Sequence, residues 1–246
     1  MATGEKTYKR HGRSIYFKKN GDMDFFLQWI LEYHTYGGLS NGEGFYIASR
    51  IRDGNIEDWT KEFLDFAVIQ EKYAKALVVE NNSSAASKRY LCASNAYKAA
   101  TMFMSVNSIK FSNTFEKMEE TFQESMRTGN ISIEQIEVPF ENKYLPGYFY
   151  KTKNSTNPPL IMIIGGSDSS GEDLYFMGGA EAIHRNYHVA MVDFPGQGIV
   201  PGRGLLIRPE MEKPIIATIE WLVANKAINA NKIGCYGASG GGYFAM

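Results

Sequence analysis

Lys232-Ile233-Gly234-Cys235-Tyr236 runs directly into Gly237-Ala238-Ser239-Gly240-Gly241-Gly242. The first five residues read as a short strand, and the small residues after them as a turn into a helix. Within that turn, Gly237-Ala238-Ser239-Gly240-Gly241 has the spacing G-x-S-x-G. A serine hydroxyl is a poor nucleophile unless a tight turn presents it near a base and near donors for the developing oxyanion. Small residues two before and two after the serine let such an elbow pack, and the helix behind it aims backbone N–H groups at the same spot. The pentapeptide arises by chance in roughly one chain in ten of this length, so its weight comes from the strand and helix around it. The alternative is a glycine-rich turn that binds phosphate, which wants G-x-G-x-x-G or a Lys-Ser/Thr ending. Neither stands here.

Upstream of the elbow the pattern is strand, helix, strand, helix. Leu160-Ile161-Met162-Ile163-Ile164 is a continuous apolar run that stops at Gly165-Gly166, as a buried parallel strand would. Val189-Ala190-Met191-Val192 is a second, ending at Asp193 and then Pro195-Gly196-Gln197-Gly198. Ile131 to Pro139 alternates apolar and polar, with Tyr144 to Tyr150 as its partner across a short turn. Glu210 to Asn225 carries Ile215, Ile216, Ile219, Trp221 and Leu222 at helical spacing. This grammar predicts an α/β fold with parallel strands. Such strands bring their carboxyl ends to one edge, so Gly165-Gly166-Ser167-Asp168-Ser169-Ser170-Gly171-Glu172 and Ser239 should meet there. The loop sits where a second oxyanion donor is needed, and its acidic residues speak against phosphate binding; the plainer reading is a Ser/Asp-rich turn without a role. Asp193 reaches the same edge and reads as part of a tight turn rather than as a catalytic carboxylate.

The first 130 residues follow a different rule. All 8 prolines lie at or after Pro139, and 15 of the 24 glycines lie after Gly129. Phe25, Phe26, Trp29, Ile30 and Tyr33 form one apolar stripe, and Trp59, Phe63, Phe66 and Ala67 another. Asn55 and Asp58 stand three apart as a capping box for the second. Tyr90, Ser94, Tyr97, Thr101 and Met104 mark a third helix, and Phe115, Met118 and Phe122 a fourth capped by Asn113 with Glu116. Asn81-Asn82-Ser83-Ser84 reads as a loop. The expected division is therefore a helical domain over 1–130 and an α/β domain over 131–246.

Composition narrows the function. Lys+Arg 26 against Asp+Glu 27 leaves a net charge of −1, which argues against nucleic acid or an anionic membrane as the main partner. The two cysteines, Cys92 and Cys235, are too few for a disulfide framework and fit a reducing, cytoplasmic setting. No cluster of His, Cys, Asp and Glu has ligand spacing, so neither a metal nor another cofactor is expected.

The elbow, the Gly165–Ser169 loop and the Asp193-Phe194-Pro195-Gly196-Gln197-Gly198 turn together resemble an α/β-hydrolase. Gly165-Gly166-Ser167-Asp168-Ser169 is similar to the Gly-Gly-Leu-Asp-Ser oxyanion loop of one subgroup, the fermentation-respiration-switch-type esterases and dihydroxypseudooxynicotine C–C hydrolases. In that subgroup a helical N-terminal domain caps the site. The resemblance implies Ser239 as nucleophile, the backbone N–H groups of Ser167 and Gly240 as the oxyanion hole, and Gly166, Asp168 and Glu172 as residues lining the site. Ser167 departs from the usual leucine, which leaves its backbone role intact and changes the neighbouring pocket.

A base is harder to place. His188 begins the strand that ends at Asp193, so about five residues at ~3.3 Å each put it roughly 16 Å from the edge that carries Ser239. His184 shares that far edge, while His11 and His34 read as tail and cap-helix residues. In this fold the order is serine, acid, histidine. The chain stops seven residues after Ser239, which predicts the N-terminal portion of a longer hydrolase with acid and base beyond residue 246. The leading expectation is hydrolysis of an ester, amide or activated C–C bond of a small acyl substrate through an acyl-enzyme. An acyltransferase or cyclase on the same machinery, and a non-catalytic hydrolase-like binding protein or fragment, are the alternatives. A homodimer or a complementing C-terminal segment are the macromolecular partners left open.

Overall fold

A computed structural model describes residues 14–153 and 156–246, so His11 lies outside the described residues. The chain divides into two compact units. One holds the residues up to Met104 with Thr114–Thr121, and the other holds Ser105–Asn113 with Phe122–Met246.

The second unit is built on five strands. β1 (Ile133–Phe140) and β2 (Lys143–Tyr150) make an antiparallel hairpin in which Phe140 faces Lys143. Ile136, Val138 and Phe140 alternate into the core, the period-two pattern of a half-buried strand. β3 (Leu160–Ile164), β4 (His188–Val192) and β5 (Ile233–Gly237) complete the sheet in the order β1-β2-β4-β3-β5. β3 is parallel to both β4 and β5, whereas β4 pairs antiparallel with β2. β4 is buried at every position, which is why Val189–Val192 after His188 is apolar without alternation.

Helices fill the connections. Between β3 and β4 run α6 (Gly171–Leu174), a π-helical turn (Tyr175–Gly179) and α7 (Ala180–His184). α8 (Glu212–Lys226) links β4 to β5, and α9 (Gly240–Phe244) follows β5. Within α8 the buried residues are Pro214, Ile215, Thr218 and Leu222, while Ile216, read as part of the apolar stripe, is exposed.

In the first unit the apolar stripes become α1 (Gly21–Glu32), α3 (Ile56–Val79) and α4 (Ser83–Thr101), and the fourth stripe becomes α5 (Ile109–Thr128), which both units share. α2 (Asn41–Ala48) has no apolar stripe to announce it and is fixed by a Ser40–Glu43 capping box. Three sequence expectations need correction. The cap of α5 is Ser108, whose hydroxyl accepts the Phe111 N–H at 3.1 Å, so Asn113 lies inside the helix. Asn55 does cap α3, but the Asp58 carboxylate turns to Arg52, with Nε at 2.6 Å and Nη2 at 2.8 Å, instead of completing a box. The loop at 81–84 shrinks to a turn, because Asn81 takes a left-handed φ of 58° and Asn82 already caps α4.

Candidate active site

Parallel β3, β4 and β5 deliver three turns to one edge of the sheet, at Gly165–Ser170, Asp193–Gly198 and Gly237–Gly241. Ser239 stands in the third with φ 55° and ψ −127°, a backbone state that L-residues rarely adopt. Its neighbours make that conformation available. A Cβ on Gly241 would overlap the carbonyl oxygens of Ile164 and Gly165, and one on Gly237 would overlap the Gly241 carbonyl. The chain therefore folds back on itself and on the end of β3 only because both positions lack side chains. Ser239 is exposed at the tip.

The second turn of importance abuts the serine. A Cβ built on Gly166 would stand 3.2 Å from Ser239 Cβ and 3.5 Å from its Oγ, so Gly166 lies against the hydroxyl. Ser167 and Asp168 are the exposed corner residues of this turn. Glu172, by contrast, is only 3% exposed. The Tyr148 hydroxyl donates to its Oε1 at 2.6 Å, and its Oε2 is buried without a hydrogen bond from the described residues. Burial pushes the Glu172 carboxyl above the ordinary value, and nearby Asp173 adds to the rise. Hydrogen bonds from Tyr148 and Ser170 pull the other way by less.

The turn after β4 braces the turn after β3. Gln197 is buried, and its side-chain amide donates to the Gly165 carbonyl at 2.5 Å while its Oε1 accepts the Phe194 N–H at 3.0 Å. The Gly198 N–H donates to the Ser169 carbonyl at 2.9 Å. Asp193 is buried at the end of β4, with its N–H donating to Pro146 of β2. Gln197, Ser169 and Tyr148 are the residues that sequence reasoning passed over; the position of Gln197 inside the Pro-Gly-x-Gly turn was the available signal.

His188 is far from this edge. It is level with Leu160 and hence with Ile233, whereas Ser239 lies beyond Gly237, level with Ile164. Its Nδ1 accepts the Thr152 N–H at 3.2 Å, and burial, with Lys151 nearby, lowers its pKa. A buried, neutral, hydrogen-bonded imidazole is a packing residue. His184 ends α7 ahead of the same strand start, and His34 lies in a short 3-10 turn of the helical unit. Among the described residues no group of three or more His, Cys, Asp or Glu could hold a metal ion. None of the helices there is long and apolar enough to cross a membrane.

No family model matches the sequence. Curated relatives do. The chain is 30% identical to a protein of Aspergillus clavatus named hydrolyase ccsE, over 94% of this chain and 58% of that one. It is 29% identical to the α/β hydrolase psoB of Aspergillus fumigatus, over 93% of this chain and 55% of that one. The chain thus spans little more than half the length of these relatives. Among solved structures, 2,6-dihydroxy-pseudo-oxynicotine hydrolase matches with a TM-score of 0.69 and 19% identity, covering 84% of this chain and 57% of that one.

Proposed function

The chain has the α/β-hydrolase fold, and from that premise we propose that it carries the nucleophile and oxyanion half of a serine hydrolase site. The observation that carries this reading is the left-handed Ser239 at the β5–α9 junction with Gly166 against its side chain. In the proposed reaction Ser239 Oγ attacks the carbonyl of a small acyl substrate, an ester, an amide or an activated ketone. The Ser167 and Gly240 N–H groups hold the resulting oxyanion; its collapse breaks the bond to the alcohol, amine or carbon leaving group, which departs with the proton the base took from Ser239, and water then hydrolyses the acyl-enzyme to the free acid and Ser239. The proposed base is a histidine other than His188, which sits a strand length from the edge that carries Ser239. The curated relatives' names support hydrolysis as the reaction class. The helical unit is proposed to govern substrate range.

The test is twofold. A fluorophosphonate should label the protein on the peptide containing Ser239, and Ser239→Ala should abolish labelling. In the native protein the same substitution should reduce p-nitrophenyl ester turnover by at least about 10³-fold, the scale seen when a nucleophile is removed. Turnover that survives Ser239→Ala would end the serine mechanism.

A further inference from the structure

Gly166-Ser167-Asp168-Ser169 forms a turn closed by two hydrogen bonds onto one atom. The Ser169 hydroxyl donates to the Gly166 carbonyl oxygen at 2.7 Å, and the Ser169 N–H reaches the same oxygen at 3.3 Å. That carbonyl belongs to the peptide whose other end is the Ser167 N–H. The described peptides are all trans, and in a trans peptide the C=O and N–H point in opposite directions. Holding the Gly166 oxygen toward Ser169 therefore turns the Ser167 N–H to the opposite side of the loop.

Resting on the reading of Ser239 as nucleophile and the Ser167 N–H as oxyanion donor, we propose that Ser169 is a positioning residue whose hydroxyl locks the Gly166–Ser167 peptide in its donating orientation. The surroundings of Ser169 suit that task. It is 1% exposed, so water does not compete for its hydroxyl. A Cβ on Gly165 would overlap Ser169 Oγ, so the residue before the peptide is one that leaves the hydroxyl room. Gly198 holds the Ser169 carbonyl and Gln197 holds the Gly165 carbonyl, which fixes the loop on both sides of the peptide. Among the described residues, the Gly166 carbonyl of the peptide between them accepts from the Ser169 hydroxyl and N–H. Without the hydroxyl it keeps one long N–H bond, and a flipped peptide would present a carbonyl oxygen to the developing oxyanion, replacing attraction by repulsion.

The experiment is steady-state p-nitrophenyl ester hydrolysis by the native protein carrying Ser169→Ala, Ser169→Cys or Ser169→Thr, with Ser239→Ala alongside and thermal unfolding of each. Removing one oxyanion donor outright costs about 10²–10³ in kcat. Ser169→Ala leaves the donor in place but loosens it, so kcat should fall about 10- to 100-fold with KM within about two-fold. Ser169→Thr, which keeps the hydroxyl, should restore most of the loss. Should the alanine variant not fold, Ser169→Cys keeps the volume with a weak donor and carries the same test. An unchanged kcat in Ser169→Ala or Ser169→Cys, beside an inactive Ser239→Ala, overturns the positioning role alone. An active Ser239→Ala overturns the nucleophile and the positioning role together.

Discussion

The turn after β5 and the turn after β3 arrive at the same edge of the sheet and are held there by opposite means. The elbow is shaped by missing atoms: Gly237 and Gly241 let backbone meet backbone, and Ser239 is carried into a strained φ of 55°. The Gly165–Ser170 turn is shaped by hydrogen bonds from Ser169, Gln197 and Gly198. A nucleophile has one heavy atom to aim, so rigidity from close packing is enough. An oxyanion donor is a peptide that can flip, and packing alone does not choose between its two faces. Directional bonds do.

The largest expected effect falls on the elbow. Gly241→Ala places a methyl inside the Ile164 and Gly165 carbonyls, which are themselves fixed by the end of β3. Overpacking in well-packed sites costs ~1–3 kcal/mol and occasionally more; with backbone rather than side chains on the far side, a loss of at least about 3 kcal/mol is expected. Urea unfolding followed by circular dichroism would measure it. A loss under about 1 kcal/mol would show that the turn relaxes, and the contrast between the two turns would collapse.

Why one turn was legible in the sequence and the other only partly follows from the same contrast. Missing side chains leave a signature, G-x-S-x-G, that is visible without coordinates. A hydrogen bond across 32 positions, as between Gln197 and Gly165, leaves only the place of Gln197 inside its Pro-Gly-x-Gly turn, which names no partner. The strands were legible because β3 is apolar throughout, β4 is apolar after His188, and β1 alternates. Helix ends were less so. Ser108 carries a capping hydroxyl as Asn113 carries a capping amide, and the Phe111 N–H bond identifies Ser108 as the one that is used. α2 escaped notice because its eight residues include two glycines and bury little. Glu172 read as lining the site from its position in a motif; its hydrogen bond to Tyr148 of β2 is set by sheet order rather than by spacing and could not be read there.

Glu172 offers the next effect, on the hydrogen-bonded side. Its carboxyl titrates above the ordinary value of 4.5 in the folded chain because burial disfavours the charge. The unfolded chain releases this proton first as pH rises, so the folded state loses stability from about pH 4.5 upward until its own pKa is passed. Glutamine in its place has no proton to lose and can still accept from the Tyr148 hydroxyl. Glu172→Gln should thus match the parent near pH 4 and become progressively more stable than it toward pH 8. Parallel melting curves across that range decide the matter. A difference that does not change with pH would mean that the carboxyl titrates alike in the folded and unfolded chain, so that burial does not disfavour its charge.

The smallest effect isolates the strain itself. Ser239→Ala and Ser239→Gly both delete the hydroxyl, but only glycine removes the Cβ that makes φ 55°, ψ −127° costly. Such outliers cost of the order of 1–3 kcal/mol, while glycine in the unfolded chain gives back roughly 0.5–1 kcal/mol in entropy. The glycine variant should therefore be the more stable of the two, by about 1 kcal/mol. Because neither variant has a nucleophile, the comparison reads stability without interference from turnover. If alanine proves the more stable, the strain relieved at Ser239 is smaller than glycine's entropy cost of roughly 0.5–1 kcal/mol, and the elbow is not the strained turn argued above.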